Sequence, residues 1–176
     1  MLIASYIVNF IGLFAFVLAS MVKGEKMGFI LFLNFCGNAL IGIAYLLGGN
    51  GINGALSSFL GGLQAIVTYF FESRGKDLPK WLIGIYALSF IVVNLWLAAI
   101  SWLSALAIAA SMCYVMKLIQ KSGKAYRFWA LSNSVFWCVY DLCSRAYGSL
   151  VVHVALLLFT AVGMLLHDLK KSEHKE

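Results

Sequence analysis

Long apolar stretches separated by short polar segments follow one another along the whole chain. Each is about 18–21 residues long, close to the roughly 20 that an α-helix needs to cross a hydrocarbon core of about 30 Å. Seven such stretches are predicted as membrane spans, at 4–22, 27–47, 54–72, 81–98, 103–120, 128–146 and 150–169. The predicted fold class is therefore an all-α integral membrane protein with seven transmembrane helices.

The basic residues lie almost entirely in every second connection between these spans. Twelve of the thirteen Lys and Arg residues follow this pattern: Lys23, Lys26, Arg74, Lys76, Lys80, Lys117, Lys121, Lys124, Arg127, Lys170, Lys171 and Lys175. Arg145 is the exception. Because short basic connections stay cytoplasmic during insertion, we expect the N-terminus outside and the C-terminus in the cytoplasm. An odd number of spans requires this same separation of the termini.

Composition narrows the class further. With 62% hydrophobic and 11% charged residues in 176, the chain is far from soluble averages, and no soluble domain is expected. The net charge of +6 comes from clusters at helix ends, so topology explains it and no nucleic-acid partner is predicted. Lys23 follows the first apolar stretch instead of preceding it, which is unlike a cleavable signal peptide. The four cysteines fit no zinc spacing, and neither a metal site nor a disulfide is expected.

An internal repeat is indicated when the chain is shifted by 95 residues. The shift pairs spans one, two and three with five, six and seven, and it aligns Asn38 with Asn133 and Tyr45 with Tyr140. Each repeat has an odd number of spans, so a fourth, linking span must cross the membrane between them, and the repeats are parallel. Pro79, the only proline, is interpreted as a helix stop between the halves. The predicted organisation is a first bundle at 1–76, a linker helix at 77–100, a second bundle at 101–169 and a charged tail at 170–176.

Two segments of the repeat resemble a known family. Asn133-Ser-Val-Phe-Trp-Cys-Val-Tyr140-Asp-Leu, with its counterpart from Asn38 to Gly48, resembles helices of SWEET-like sugar transporters. The chain is more similar to the YgjV-type bacterial inner-membrane proteins of the same MtN3/PQ-loop superfamily. The resemblance implies two three-helix bundles joined by a linker helix (3+1+3), a solute pathway between them, and location in the cell inner membrane. PQ-loop relatives carry a Pro-Gln hinge in the first helix of each repeat, whereas no span here contains proline.

Polar side chains inside the predicted spans mark candidate sites, because polar groups at bilayer depth face a cavity or a partner helix. In span six, Asn133, Trp137, Asp141 and Arg145 share one helical face by their spacing of four. The counterpart in span two is Asn34, Asn38 and Gly42. Gly42 is the repeat mate of Trp137, so the first repeat leaves space where the second has a bulky ring. The candidate substrate-binding residues are Trp137, Asn133, Asn38, His153, Ser58, Tyr140 and Gln64, and the candidate gate or coupling residues are Asp141 and Arg145.

Each candidate has a structural alternative. Trp137 is either a pocket aromatic or a packing residue, and Asn38 and Asn133 are either solute ligands or hydrogen bonds between helices. Asp141 and Arg145 form either an ion pair along one helix or a gate. The resemblance aligns His153 with a substrate-binding Asn and Trp137 with a pocket aromatic of the SWEET-like proteins, while a histidine in a helix contact is the alternative.

The function predicted from these features is facilitated or ion-coupled transport of a small polar solute by alternating access. No Walker A motif is present, and no cofactor is expected. The alternative is a membrane receptor or trafficking protein of the same fold that binds a ligand without moving it. An enzyme is the least favoured class, because only Asp141 and His153 suit catalysis. The expected partners are a small-molecule solute and the lipid bilayer, and a homodimer is left open.

Overall fold

A computed structural model describes residues 2–22, 26–48, 52–97, 102–144 and 147–169. This part of the chain is helical throughout apart from its connections. The helices are α1 (Leu2–Met21), α2 (Met27–Gly48), α3 (Ile52–Ser73), α4 (Lys80–Leu97), α5 (Trp102–Leu118), α6 (Gly123–Ser144) and α7 (Tyr147–Met164), followed by a π-helical turn (Leu165–Leu169). The prediction of seven helices, one for each apolar stretch, is confirmed for the described residues.

The helices differ in how well each is suited to cross a bilayer. Three segments, Ile3–Met21, Met27–Gly48 and Leu150–Asp168, are long and apolar enough by themselves. Lys80–Trp96 and Trp102–Leu118 are apolar but shorter. Helices α3 and α6 have 22 residues each but carry more polar side chains. We interpret this difference as the result of burial, because a helix that supplies polar groups to the interior of a bundle loses mean hydropathy without leaving the membrane.

Consecutive helices pack against one another, and α7 packs against α1, so the seven helices form a closed ring. Helix α4 contacts both α3 and α5, and α3 also contacts α5. Large apolar side chains cover the outside of this ring, including Phe10 and Trp96, which are 70% and 80% exposed. An apolar outer surface of this kind is typical of helices that face lipid.

Small residues set the closest contacts between helices. A Cβ at Gly12 of α1 would lie 3.2 Å from the carbonyl oxygen of Gly37 in α2. A Cβ at Gly163 of α7 would lie only 2.5 Å from the carbonyl oxygen of Ser20 in α1. Glycine therefore permits the approach of the backbones at both interfaces, as is common where membrane helices meet.

The connections explain where the central helices begin and end. Gly75, with a φ of 63°, follows α3, and Lys76 N–H donates to the Phe71 carbonyl oxygen at 3.0 Å, a glycine-based helix ending. Pro79 instead precedes α4 and accepts from Leu82 N–H at 2.9 Å. The prediction that Pro79 stops a helix was wrong in this respect, because Gly75 accounts for the end of α3 and Pro79 stands at the start of α4.

Several contacts define one end of the ring, which we call the basic end: it holds residues 74–79 and 119–122, the C-terminal end of α1 and the π-helical turn. An ion pair between Lys121 and Asp77 joins two of its connections. The hydrogen bond from this lysine to Asp77 raises the pKa of the Lys121 ammonium. Ser122 caps α6 by accepting from Ala125 N–H at 3.2 Å, as N-cap serines do. We call the opposite end of the ring the far end.

Candidate functional site

Four of the candidate residues lie together at the far end, where α6 meets α7; we call Trp137, Tyr140, Asp141 and His153 the His153 cluster. The His153 ring stacks on Trp137 with ring centroids 5.6 Å apart and an angle of 10° between the planes. Tyr140 meets Trp137 edge-on, with centroids 5.3 Å apart. The spacing of four in α6 and one histidine in α7 thus produce a compact group of aromatic and ionisable side chains.

The Asp141 carboxylate fixes the orientation of His153. His153 Nδ1 lies 2.6 Å from Asp141 Oδ2, and the Asp141 side chain is almost fully buried. Nδ1 is therefore the ring nitrogen that this contact with the carboxylate uses. The pair Asp141–Arg145 predicted from the sequence cannot be assessed, since Arg145 lies outside the described residues.

Other candidate residues make contacts between helices. Asn133 Nδ2 donates to the Ala110 carbonyl oxygen of α5 at 2.7 Å. Gln64 of α3 is buried, and its Nε2 donates to Ser89 Oγ of α4 at 3.1 Å, whereas its Oε1 has no partner among the described residues. Ser58 lies half-buried on α3. The structure therefore brings Trp137, Tyr140, Asp141 and His153 together, and it places Asn133, Gln64 and Ser58 elsewhere.

The space expected at Gly42, the repeat mate of Trp137, is filled by a side chain. A Cβ at Gly42 would lie 2.8 Å from the Phe59 ring of α3, so this aromatic side chain covers the glycine. In the second half, His153 covers Trp137. An aromatic ring thus covers both positions, from Phe59 of α3 at Gly42 and from His153 of α7 at Trp137.

A second polar group crosses the interior of the ring near the basic end; we call it the Lys117 network, formed by Asn34, Asn38, Tyr114, Lys117 and Tyr126. Lys117 Nζ donates to Asn34 Oδ1 at 2.9 Å. Asn34 Nδ2 in turn donates to Tyr126 Oη at 2.5 Å. Asn38 Nδ2 donates to Tyr114 Oη at 2.8 Å. The network joins α2 of the first half to α5 and α6 of the second.

The network also reaches α3, and its side chains are almost inaccessible to solvent. Tyr114 Oη donates to the Gly61 carbonyl oxygen at 2.8 Å. Asn34, Lys117 and Tyr126 are 0%, 5% and 2% exposed. Backbone access at Gly61 depends on glycine, because a Cβ there would lie 3.3 Å from the tyrosine hydroxyl. Candidate residue Asn38 is therefore part of a buried hydrogen-bonded group that four helices share.

Aromatic rings surround the ammonium of Lys117. Its Nζ lies 4.4 Å from the centroid of the Tyr114 ring, 5.6 Å from that of Tyr126 and 5.7 Å from that of Phe16. Cation–π contacts of this kind partly replace hydration. No salt bridge within the described ranges joins Lys117 to a carboxylate. The sequence interpretation of Lys117 as a basic residue of a connection was wrong, because it lies in α5 and faces the interior.

A buried ion pair lies at the basic end, and its arginine also contacts the end of α1. Arg127 of α6 donates through Nη2 to Asp168 Oδ1 at 2.6 Å and through Nε to Asp168 Oδ2 at 2.8 Å, and its Nη1 donates to the Val22 carbonyl oxygen at 3.1 Å. The side chains of Arg127 and Asp168 are 2% and 6% exposed. His167 adds a contact from Nε2 to the Met21 carbonyl oxygen at 2.9 Å. Arg127 is thus also an interior residue. The sequence interpretation, which placed it in a connection, was wrong.

Sequence reasoning missed Lys117, Tyr114, Tyr126 and the pair Arg127–Asp168 as site residues. Two signals were present: Lys117 lies inside the predicted span 103–120, and Tyr114 lies one helical turn before it, where residues three apart are neighbours. Tyr126 and Asp168 come from distant segments, and only the packing of α2, α5, α6 and α7 brings them to these partners.

A shallow groove opens at the basic end, away from both polar groups. Thr68, Phe71 and Glu72 line it from α3, and Gln120 and Lys121 from the connection after α5. It lies beside the exposed pair Lys121–Asp77 and is open to solvent. Its lining includes no member of the His153 cluster or of the Lys117 network.

Comparison with known proteins agrees with a membrane location. The Imp-YgjV family model, described as a bacterial inner membrane protein, matches residues 3–171. No curated protein and no solved structure matches the chain. Because the matched range covers nearly the whole chain and part or all of each described helix, the chain belongs to the Imp-YgjV family of bacterial inner-membrane proteins.

Proposed function

We propose that this protein transports a small polar solute across the bacterial inner membrane. In this proposal α1–α3 and α5–α7 act as two parallel three-helix bundles, α4 links them, and the solute passes between the bundles. The N-terminus is outside and the C-terminus cytoplasmic, so the basic end faces the cytoplasm. The resemblance to SWEET-like and PQ-loop proteins supports this plan by analogy.

The observation that carries the proposal is the Lys117 network. Ionisable groups inside a membrane protein are costly and mark solute or ion pathways. Here a buried ammonium and two buried amides lie where α2 meets α5 and α6. These are the helices at which the two bundles would meet, so the polar interior lies on the proposed pathway. Packing alone would favour apolar side chains at these positions.

The two ends of the pathway differ in a way that suits alternating access. At the basic end, the first bundle contacts the second through Val22, whose carbonyl oxygen accepts from Arg127 Nη1, and through Ser20, whose backbone lies against Gly163. At the far end, the His153 cluster joins α6 to α7, which are both in the second bundle. These contacts between the bundles lie at the basic end, which in this proposal corresponds to a state closed toward the cytoplasm.

The transport proposal predicts solute flux that depends on the interior polar residues. Purified protein is first screened by thermal unfolding against sugars, nucleosides, vitamins and amino acids, because a ligand of the folded state raises the midpoint. Uptake of each stabilising solute is then measured in proteoliposomes. We expect Trp137→Ala and Asn133→Ala to lower the rate of uptake at least tenfold, since both residues are substrate-binding residues in this proposal.

Trp96→Ala is the matched control, because Trp96 is 80% exposed on the lipid-facing side, and its rate of uptake should equal that of the wild type. Equal uptake by all three variants would contradict the proposed pathway. Saturable binding without flux in the wild type would favour the receptor alternative. Chemical cross-linking of the purified protein in lipid separates a monomeric unit from a homodimer.

Orientation is tested separately from transport. Fluorescent protein fused to the C-terminus fluoresces in the cytoplasm, whereas alkaline phosphatase is active only after export from it. With twelve of thirteen basic residues on one side, we expect a fluorescent C-terminal fusion and an inactive phosphatase fusion. Alkaline phosphatase fused to the N-terminus should be active. The opposite pattern would invert the proposed topology and leave the fold unchanged.

A further inference from the structure

The hydrogen bonds of the Lys117 network leave more donors than acceptors in its interior. The Lys117 ammonium carries three N–H groups, and one donates to Asn34 Oδ1 at 2.9 Å. The remaining two face aromatic rings. Tyr126 Oη accepts from Asn34 Nδ2, and its own proton has no acceptor in the part of the chain that the structure describes. Three strong donors around one positive charge therefore lack an oxygen partner.

The orientation of the Asn34 amide supports this excess of hydrogen-bond donors. Because an ammonium can only donate, the contact with Lys117 identifies the Asn34 atom beside it as the oxygen. The Asn34 nitrogen then donates both to the Ile30 carbonyl oxygen at 2.9 Å and to Tyr126 Oη. Tyr114 uses its proton on the Gly61 carbonyl oxygen. Within the described residues, no hydrogen bond joins the remaining Lys117 N–H groups or the Tyr126 hydroxyl to another oxygen, Asn38 Oδ1 included.

We infer that Lys117 and Tyr126 form a binding site for the carboxylate of a small monocarboxylate, which is the solute class of the transporter; this inference rests on the proposed function. One carboxylate balances the single charge and accepts from both donors. The walls of Phe16, Tyr114 and Tyr126 suit an apolar substituent. Arg127 does not compete for the anion, because Asp168 holds it in a bidentate pair.

Access to this site follows from its position. Tyr126 precedes Arg127 in the first turns of α6, so separating Arg127 from Val22 and Gly163 from Ser20 at the basic end also uncovers Tyr126 and the ammonium. In the closed structure these side chains contact one another directly. The monocarboxylate would therefore bind as the bundles separate at the basic end, with Lys117 exchanging its aromatic contacts for the carboxylate.

The test measures thermal unfolding of the full-length protein in detergent with sodium acetate, sodium lactate and sodium benzoate. The corresponding amides and sodium chloride at matched ionic strength are the controls. At least one carboxylate should raise the midpoint in proportion to the logarithm of its concentration, while its amide and chloride do not. Equal shifts with the amide or with chloride, or no shift with any carboxylate, would overturn the inference.

Three variants locate the site within the network. Lys117→Gln should abolish the carboxylate shift, and Tyr126→Phe should weaken carboxylate affinity roughly tenfold, as expected for one charge-assisted hydrogen bond. Asn34→Asp places an internal carboxylate beside the ammonium. It should raise the midpoint of the ligand-free protein and abolish the response to added carboxylate. An undiminished carboxylate shift in Asn34→Asp or Lys117→Gln would place the site elsewhere.

Failure of this inference is distinguishable from failure of the proposed function. A carboxylate-specific shift lost in Lys117→Gln, without carboxylate flux in proteoliposomes, would keep the site and overturn transport. Flux of a neutral solute without any carboxylate-specific shift would keep transport and overturn the site. Carboxylate flux that is lost in both Lys117→Gln and Asn34→Asp is the result that supports both.

Discussion

Replacement of Asp168 by alanine is expected to lower the free energy of unfolding by about 3–5 kcal/mol, because it leaves the guanidinium of Arg127 buried without its counter-ion. The pair is bidentate, and both side chains are almost inaccessible. The same change removes the strongest polar contact between α6 and the end of α7. The measurement is reversible unfolding of the purified protein, followed by helicity against denaturant concentration.

Asp77→Ala is the matched control for this prediction. It removes the same charge from the pair with Lys121, which is exposed at the same end of the ring. Solvent and salt weaken such contacts, so the unfolding midpoint should stay unchanged. The double variant Arg127→Met with Asp168→Leu should recover most of the loss, because neither charge is then left unpaired. A midpoint for Asp168→Ala equal to that of Asp77→Ala would show that the buried pair does not stabilise the fold.

Gly163→Ala is expected to destabilise the protein by about 1–3 kcal/mol through overpacking. The added Cβ would lie 2.5 Å from the Ser20 carbonyl oxygen and 3.4 Å from Arg127 Cδ. The Ser20 oxygen is backbone and cannot rotate away, so α1 and α7 must separate and strain the Arg127 contacts at the same place. Thermal unfolding of the purified variant measures the loss.

Gly84→Ala provides the comparison, because nothing lies within 4 Å of a Cβ at Gly84 in α4. Alanine favours a helix over glycine, so this variant should unfold at the wild-type midpoint or slightly above it. Similar losses in the two variants would mean that glycine matters at both positions for a reason other than helix contact. A loss confined to Gly163→Ala would confirm the tight approach of α1 and α7.

The helices could be predicted from the sequence because the membrane imposes one strong rule. Every backbone polar group in the hydrocarbon region must be satisfied internally, so a long apolar stretch becomes a helix. Helix α2 illustrates this: the predicted span 27–47 and the observed Met27–Gly48 differ by one residue. The start of α6 was less accurate, because the predicted span begins at 128 and the helix begins at Gly123, where Ser122 provides the cap.

Side-chain roles were less accessible to sequence than helix positions. The basic residues Lys117 and Arg127 lie near helix ends, where the sequence does not distinguish a cation that faces water from one that turns inward. Their burial depends on partners supplied by other helices, Asn34 for Lys117 and Asp168 for Arg127. Hydrophobic pattern cannot reveal those partners, because it records how apolar a helix is and not which helix it contacts.

The far-end cluster was predicted in part because its residues share one helix. Trp137 and Asp141 follow the spacing of four, and helical geometry alone puts them on one face. Their contact with His153 required the packing of α7 against α6. Asn133 has the same spacing, yet it bonds to the backbone of α5, which shows that a shared face does not ensure a shared site.

The distance between spin labels at the basic end tests the central claim, that this end opens and closes around a polar interior. Labels at Lys76→Cys and Lys124→Cys occupy exposed positions on opposite sides of the proposed boundary between the bundles. Cys36, Cys113, Cys138 and Cys143 are first replaced by alanine, and an unchanged unfolding midpoint verifies the fold. Pulsed electron paramagnetic resonance in lipid nanodiscs then gives the distribution of distances with and without the solute that proteoliposomes take up. The account predicts a second, longer distance whose share changes with that solute, whereas a single distance unaffected by it would contradict alternating access at this end.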